Sequence, residues 1–282
     1  MPQQRRRRTA VGSSAAGRAR PPPAAAHPHA PTATLYLRHQ KSKPVSDSLV
    51  IIPTYNEKEN IARMIDVVFA LPHPFHLLIV DDGSPDGTAT IVREAQQRYA
   101  GRLHLLERAG KLGLGTAYLD GFRWGMAHSP DYHFFFEMDA DFSHNPADLV
   151  RLREACHSGG GDVAVGSRYT RGGGVANWPL DRRLLSYGAS VYVRLITWMP
   201  VKDSTAGFMC YTRPVLEAIG FDAIEFIGYA FQIEMKHTAW KLGYRIVEVP
   251  ITFTDRVLGA SKMHGSIVKE AVMGVLSLRF RK

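Results

Sequence analysis

From residue 48 onward, short apolar runs alternate with amphipathic stretches, and the alternation predicts an α/β chain. Near-continuous apolar runs at 49–53, 77–82, 103–107, 132–139 and 162–167 read as strands covered on both faces, the signature of a parallel sheet. Helical periodicity fills the gaps near 58–70, 86–99, 115–128 and 146–157. Asn145 followed by Pro146 marks a helix start, a capping side chain ahead of a residue preset for the first turn. No internal repeat appears, and one domain is expected over 48–282.

The ends of these strands carry the polar residues that could do chemistry. In open α/β sheets, ligands gather at the carboxyl ends of strands. The first strand runs into Pro53, Thr54, Tyr55, Asn56 and Glu57, where an aromatic ring and a carboxylate can stack on and hydrogen-bond a nucleoside, or merely form a loop and helix cap. The second ends in Asp81-Asp82-Gly83-Ser84-Pro85-Asp86-Gly87. Neighbouring strand side chains point to opposite faces, so Asp81 and Asp82 must differ in role, one reading a base or ribose and the other supporting the turn. Asp86 reads as a helix cap. The fourth strand delivers Asp139 and Asp141 two residues apart, hence on one side of an extended chain. Paired hard oxygen ligands there suit Mg²⁺ or Mn²⁺ on a diphosphate. His144 is expected to support this segment rather than ligate. The glycines of Gly110-Lys111-Leu112-Gly113-Leu114-Gly115 are in the wrong order for a dinucleotide fingerprint and instead predict close backbone approach to a nucleotide sugar. Arg168, Arg171, Arg256 and Lys262 lie in glycine-bearing segments and are candidate phosphate contacts.

Charge first points elsewhere. The chain of 282 residues has a net charge of +9, which invites a nucleic-acid reading. Residues 1–47, however, hold nine basic residues and one acid, so +8 of that charge belongs to this segment. It is rich in Pro, Ala and Arg and is expected to be disordered, and its acid-poor start also fits a transit peptide. The rest of the chain is nearly neutral, which leaves a nucleic-acid-binding protein acting through its tail as a minor alternative. Two cysteines, Cys156 and Cys210, lack disulfide-framework or metal spacing and read as reduced thiols. No apolar window is long enough to span a bilayer.

Taken in order, PTYNE, DDGSPDGT, GKLGLGTAY, MDADFSHNP, GSRY, GGG, TAGF, GYAFQIEM and FTDRVLGASKM resemble the dolichol-phosphate (polyprenol-phosphate) mannosyltransferases over most of residues 48–270. These are inverting glycosyltransferases of family 2 with the GT-A fold, a Rossmann-like domain with a mostly parallel sheet and helices on both faces. The resemblance implies a guanosine pocket lined by Pro53, Tyr55, Glu57, Val80 and Asp82, and a metal-diphosphate segment of Asp139, Ala140 and Asp141. Arg168, Arg256 and Lys262 would contact donor or acceptor phosphates, with Arg256 and Lys262 joining Asp139 and Asp141 in catalysis. Some members carry Gln as a further metal ligand where this chain has Ser143, so a water is expected to intervene there. The implied reaction moves mannose from GDP-mannose to a polyprenyl monophosphate, with Mg²⁺ or Mn²⁺ as cofactor; a related transferase using UDP-glucose or another nucleotide sugar is the alternative.

A lipid acceptor gives two further segments a meaning. Residues 184–199 predict a helix with Ser186, Ser190, Arg194 and Thr197 on one narrow face and a broad apolar remainder, either a core helix or one lying at a membrane surface. Arg182 and Arg183 at its start gain nothing from the helix dipole, which favours contact with the acceptor phosphate. A second amphipathic helix is expected over 266–278. Peripheral attachment at the cytoplasmic face of a membrane follows, with an anchoring subunit compatible. Relatives often begin near residues 45–48, so the basic tail also reads as a mis-assigned translation start.

Overall fold

The computed structural model describes residues 46–228, 230–255 and 274–280. The expectations for the tail 1–44, for Arg256 and Lys262, and for most of the helix at 266–278 lie outside these residues. The amino-terminal half alternates as its pattern requires: β1 (Ser48–Thr54), α1 (Ile61–Phe69), β2 (His76–Asp81), α2 (Thr88–Arg98), β3 (Leu103–Glu107), α3 (Leu114–His128), β4 (Phe134–Glu137) and α4 (Asp148–His157). The other half adds β5 (Val163–Ser167), β6 (Gly174–Ala176), α5 (Leu180–Thr197), β7 (Met209–Thr212), α6 (Arg213–Ile219), a single 3₁₀ turn, α7 (Ala230–Lys241), β8 (Ile246–Pro250) and β9 (Thr252–Thr254). Residues 274–280 are helical.

Seven strands form one sheet in the order β3-β2-β1-β4-β7-β5-β8, parallel except for β7, which runs antiparallel to both β4 and β5. β6 and β9 pair separately. Alternation along β1 sorts its side chains between two layers: Leu49 and Ile51 pack with α3 and α7, Val50 and Ile52 with α1 and α4. In α1, Ile61, Met64, Ile65 and Val68 supply the matching buried stripe. The chain steps outward from β1 through β2 to β3, then returns to place β4 on the other side of β1. That reversal is a topological switch point, where loops diverge and leave a crevice at the carboxyl ends of β1 and β4.

Two expected boundaries shift. β4 stops at Glu137, so Asp139 and Asp141 lie in a bend beyond the strand rather than on an extended chain. Phe142 adopts a left-handed conformation, φ 60°, and turns the backbone back. α4 begins at Asp148; Asn145 accepts the Ala147 amide through its side chain and shapes the turn before the helix.

Candidate active site

The loops after β1 and β2 are laced together before they can bind anything. Thr54 donates to Asp81, the Asp82 amide to the Thr54 carbonyl, the Asn56 amide to Ser84, the Glu57 amide to Thr88 and the Lys58 amide to Asp86. Asp81 also accepts from the amide and hydroxyl of Ser84, so it is the member of the Asp81–Asp82 pair that supports the turn. The N-cap of α2 is Gly87 rather than the expected Asp86, which stands one residue earlier and accepts the Thr88 amide across the turn. Glu57 accepts from the Asn60 side chain, and its carbonyl takes the Asn60 and Ile61 amides at the head of α1. Tyr55 is half-buried beside this lattice, with the Lys111 ammonium 5.4 Å from its ring centroid. Val80 does not fit its expected place in the pocket. It is fully buried in the core layer shared with α3, because β2 is covered on both faces, so its side chain does not line an open pocket.

Asp82 has a partner that the sequence reading missed. Arg108, just beyond β3, sets its Nε 2.7 Å and its Nη2 2.6 Å from Asp82 Oδ1, and both side chains are almost wholly buried. Burial raises the Asp82 carboxyl, and the guanidinium opposes that shift. The available clue was an arginine directly before a glycine-rich loop; nothing local names its partner.

Across the crevice, Asp139 is half exposed and Asp141 is buried. Asp141 Oδ1 accepts the Ser143 amide at 3.0 Å. His144, buried against Phe208 and Phe253, takes the Asp139 amide on Nδ1 at 3.4 Å. Burial holds its imidazole down at about 4, so the ring is neutral and supports the bend. Ser143 Oγ is buried with no hydrogen-bond partner among the described residues. Two carboxylates and a nearby buried hydroxyl are hard oxygen donors, and the set fits a divalent cation. Among the described residues no group of three His, Cys, Asp or Glu side chains that could hold a metal ion is present. Behind the bend, Glu137 on β4 and Lys236 on α7 are wholly buried together; burial pushes the carboxyl up and the ammonium down. Lys236 donates to the Ala206 carbonyl at 2.7 Å.

The arginines expected to meet phosphates differ sharply in placement. Arg168 gives Nε and Nη2 to the two oxygens of Asp203, at 2.7 and 2.6 Å, and Nη2 also to Thr205. Asp203 is fully buried, and its amide is held in turn by Glu248. Arg168 is therefore committed to anchoring the 203–205 loop. Arg182 pairs with Asp255 at 2.8 Å and stacks on Trp178, 4.2 Å from the ring centroid. Arg183 is exposed, with no ion pair among the described residues. Arg182 and Arg183 both sit at the start of α5, whose buried residues are Ser190, Val193 and Thr197. Its apolar side chains Leu184, Leu185 and Leu195 stay 63%, 65% and 69% exposed.

β1, β2 and β4 are parallel neighbours, so the segment with Tyr55, the Asp82 turn and the Asp139–Asp141 bend all follow strand ends at one edge of the sheet, the place where open α/β sheets bind ligands. Residues 49–220 match glycosyl transferase family 2. The chain is 46% identical to the polyprenol monophosphomannose synthase of Mycolicibacterium smegmatis over 233 residues, 83% of this chain and 87% of that protein. It is 45% identical to the undecaprenyl-phosphate mannosyltransferase of Micrococcus luteus, over 80% and 91% of the two chains. The chain thus belongs to glycosyl transferase family 2, among the polyprenyl-phosphate mannosyltransferases.

Solved structures agree on the fold. Glucosyl-3-phosphoglycerate synthase of Mycobacterium tuberculosis, in complex with Mn²⁺, UDP and glucosyl-3-phosphoglycerate, aligns with TM-score 0.61 at 16% identity over 83% of this chain and 80% of that one. A mannosyltransferase from Pyrobaculum calidifontis, in complex with GDP-Man and Mn²⁺, aligns with TM-score 0.51 at 18% identity over 82% and 69%.

Proposed function

We propose that this chain transfers mannose from GDP-mannose to a polyprenyl monophosphate, giving polyprenyl-phosphate mannose and GDP with inversion at the anomeric carbon. The observation that carries the proposal is the 46% identity to a polyprenol monophosphomannose synthase over 87% of its length, and it is supported by Tyr55, Asp82, Asp139 and Asp141 following neighbouring parallel strands at one sheet edge. Pro53, Tyr55 and Glu57 would frame the guanosine, with Asp82 accepting from the base. Asp139 and Asp141 would hold Mg²⁺ or Mn²⁺ against the diphosphate, with Ser143 reaching it through water. That ion would offset the charge developing on the departing GDP.

In the reaction the bond from anomeric carbon to diphosphate oxygen breaks as a phosphate oxygen of the acceptor bonds to the opposite face. A phosphate monoester with a second pKa of about 6 is largely dianionic at neutral pH, so the protein need supply no strong base. The protein's part is to place donor and acceptor in line and to balance charge. Arg182 and Arg183 are suited to the acceptor phosphate. Arg256 and Lys262, which follow Asp255 along the chain, are proposed to steady the diphosphate. Arg168, bound to Asp203, would act by holding the 203–205 loop rather than by touching phosphate.

The acceptor is a lipid, and α5 supports a way to reach it. Leu180, Leu184, Tyr187, Leu195 and Trp198 form an exposed apolar stripe along the helix, with Arg183 beside them. No helix among the described residues is long and apolar enough to cross a membrane. Such a stripe suits peripheral contact at the cytoplasmic face of a membrane. An anchoring subunit is proposed on the resemblance alone.

Incubating the full chain with radiolabelled GDP-mannose and polyprenyl phosphate, with and without Mg²⁺ or Mn²⁺, tests the reading. Label should enter the lipid only with cation, and Asp141→Asn should lower the rate at least about a hundredfold with an unchanged melting temperature. Equal turnover by Asp141→Asn would remove the metal assignment, and transfer from UDP-glucose alone would replace the donor.

A further inference from the structure

Arg108 lies outside every motif picked from the sequence, yet it binds three separate parts of the donor side of the crevice. Its Nε and Nη2 hold Asp82 Oδ1, its Nη1 reaches Thr116 Oγ1 at 2.8 Å and Asp120 Oδ2 at 3.2 Å, and its Nη2 reaches the Gly113 carbonyl at 3.2 Å. Its own amide donates to the Asp81 carbonyl at 2.8 Å. With a side chain 5% exposed, the guanidinium is an interior fastener between the Asp81–Asp82 turn, the 110–113 loop and the first turn of α3. That loop in turn sets the Lys111 ammonium over Tyr55, and the Leu112 backbone hydrogen-bonds the Asp82 carboxylate. Gly113 is essential to the arrangement: at φ 110° it is strained for other residues, and a Cβ there would stand 2.9 Å from the Ile227 carbonyl.

We infer that Arg108 is a positioning residue for base selection: it fixes the Asp82 carboxylate, and the loop that crosses it, in the geometry that prefers guanine to uracil. The inference rests on the proposed nucleotide-sugar reading. The close Arg108 contacts, at 2.7 and 2.6 Å, both fall on Oδ1, and each carboxylate oxygen carries two lone pairs, so Asp82 retains acceptor capacity on Oδ2. The Watson–Crick edge of guanine presents two adjacent N–H donors to a carboxylate. Uracil presents one, flanked by carbonyl oxygens that a carboxylate repels. A carboxylate held in one orientation can exploit this difference, whereas one free to rotate or to take up a proton cannot. Lysine at 108 would keep the charge but lose the fork that spans Asp82, Gly113 and Thr116 at once.

The test is calorimetric binding of GDP, UDP and inorganic pyrophosphate, each with Mn²⁺, to the full chain and to Arg108→Lys and Thr116→Val. Arg108→Lys should weaken GDP at least tenfold and UDP less than threefold, and leave pyrophosphate within twofold, because the base end alone is disturbed. Thr116→Val, which removes one partner of the guanidinium and no charge, should weaken GDP about threefold and carries the test by itself if Arg108→Lys does not fold. Unchanged GDP affinity in the folded variants overturns the inference. So does a parallel loss for GDP, UDP and pyrophosphate, which is the mark of general structural damage. If the unaltered chain prefers UDP to GDP, the donor reading fails instead, and the role of Arg108 is then judged by the variant's loss for UDP against pyrophosphate.

Discussion

α3 and α5 are the two longest helices described, and the faces they bury differ: that of α3 is apolar and that of α5 mixes polar and apolar residues. α3 turns Ala117, Tyr118 and Phe122 into the core and lies so close to the sheet that a Cβ on Gly121 would come 2.6 Å from Ile51. α5 turns Ser190, Val193 and Thr197 inward and leaves its leucines to solvent. The neighbours explain the contrast. α3 packs on the apolar side chains Leu49 and Ile51 of β1 and Phe135 of β4, whereas α5 adds only Val193 to the buried residues of that core and also meets polar partners, with Ser190 3.4 Å from Thr205 and Ser186 accepting from Tyr169 at 2.8 Å. An amphipathic pattern identifies two faces; the surface already in place decides which one is buried.

The sharpest way to break this comparison is to fill the α3 contact. Gly125→Leu forces a side chain against Leu49 and Phe135, and unfolding in urea should show a loss of about 3 kcal/mol or more. A loss below about 1 kcal/mol would mean that α3 does not lie flush on the sheet.

The α3 side should also be the acid-sensitive one. His76 and His104 pack with Trp124, His128 and Tyr132, and burial holds both down at about 4 from an ordinary 6.5. They stay neutral in the folded chain while the unfolded chain takes up protons below 6.5, so stability present above that pH is lost as the pH falls toward 4. After discounting for partial solvent exposure, each should cost about 1 kcal/mol at pH 5, read as a lower urea midpoint. His104→Phe should flatten the profile, and a profile equally steep in that variant would dissociate acid sensitivity from this cluster.

On α5, Leu184→Asp combined with Leu195→Asp should leave the urea midpoint nearly unchanged while weakening binding to anionic vesicles about tenfold, or ~1.4 kcal/mol. A large stability loss with unaltered vesicle binding would make the stripe part of the core. The smallest effect belongs to Gly188, exposed within α5, where a Cβ would meet no heavy atom within 4 Å. Gly188→Ala should stabilise by about 0.5–1 kcal/mol, since nothing opposes the gain in helix propensity, in direct contrast to Gly125.

The legibility of the chain changes near residue 167. β1 to β5 and α1 to α4 lie in apolar or periodic runs that announce themselves; even so, Asp139 and Asp141 sit in a bend where an extended strand was expected. β6, β7, β8 and β9 are three to five residues each and went unread, as did α6 and α7. β7, Met209–Thr212, exists as a strand because β4 and β5 flank it, not because four residues prefer extension. The site divides the same way. Tyr55, Glu57, Asp82, Asp139 and Asp141 were picked out because they stand at the ends of readable strands. Arg108 and Asp203 were not, because each acquires its meaning from a partner distant in sequence.

Three features were settled by the order of residues: the alternating architecture, the acidic pair after the fourth strand, and a charge excess carried by the first 47 residues. Each of these is local: it depends on side-chain periodicity, on the spacing of two neighbouring acids, or on composition. Folding had to decide that Arg108 would clasp Asp82 from 26 residues away, that Arg168 would be spent on Asp203, and that α5 would turn its serines inward. Apolar attraction has no direction and ion pairs no preferred sequence separation, so such choices are settled only when the sheet brings distant segments into contact.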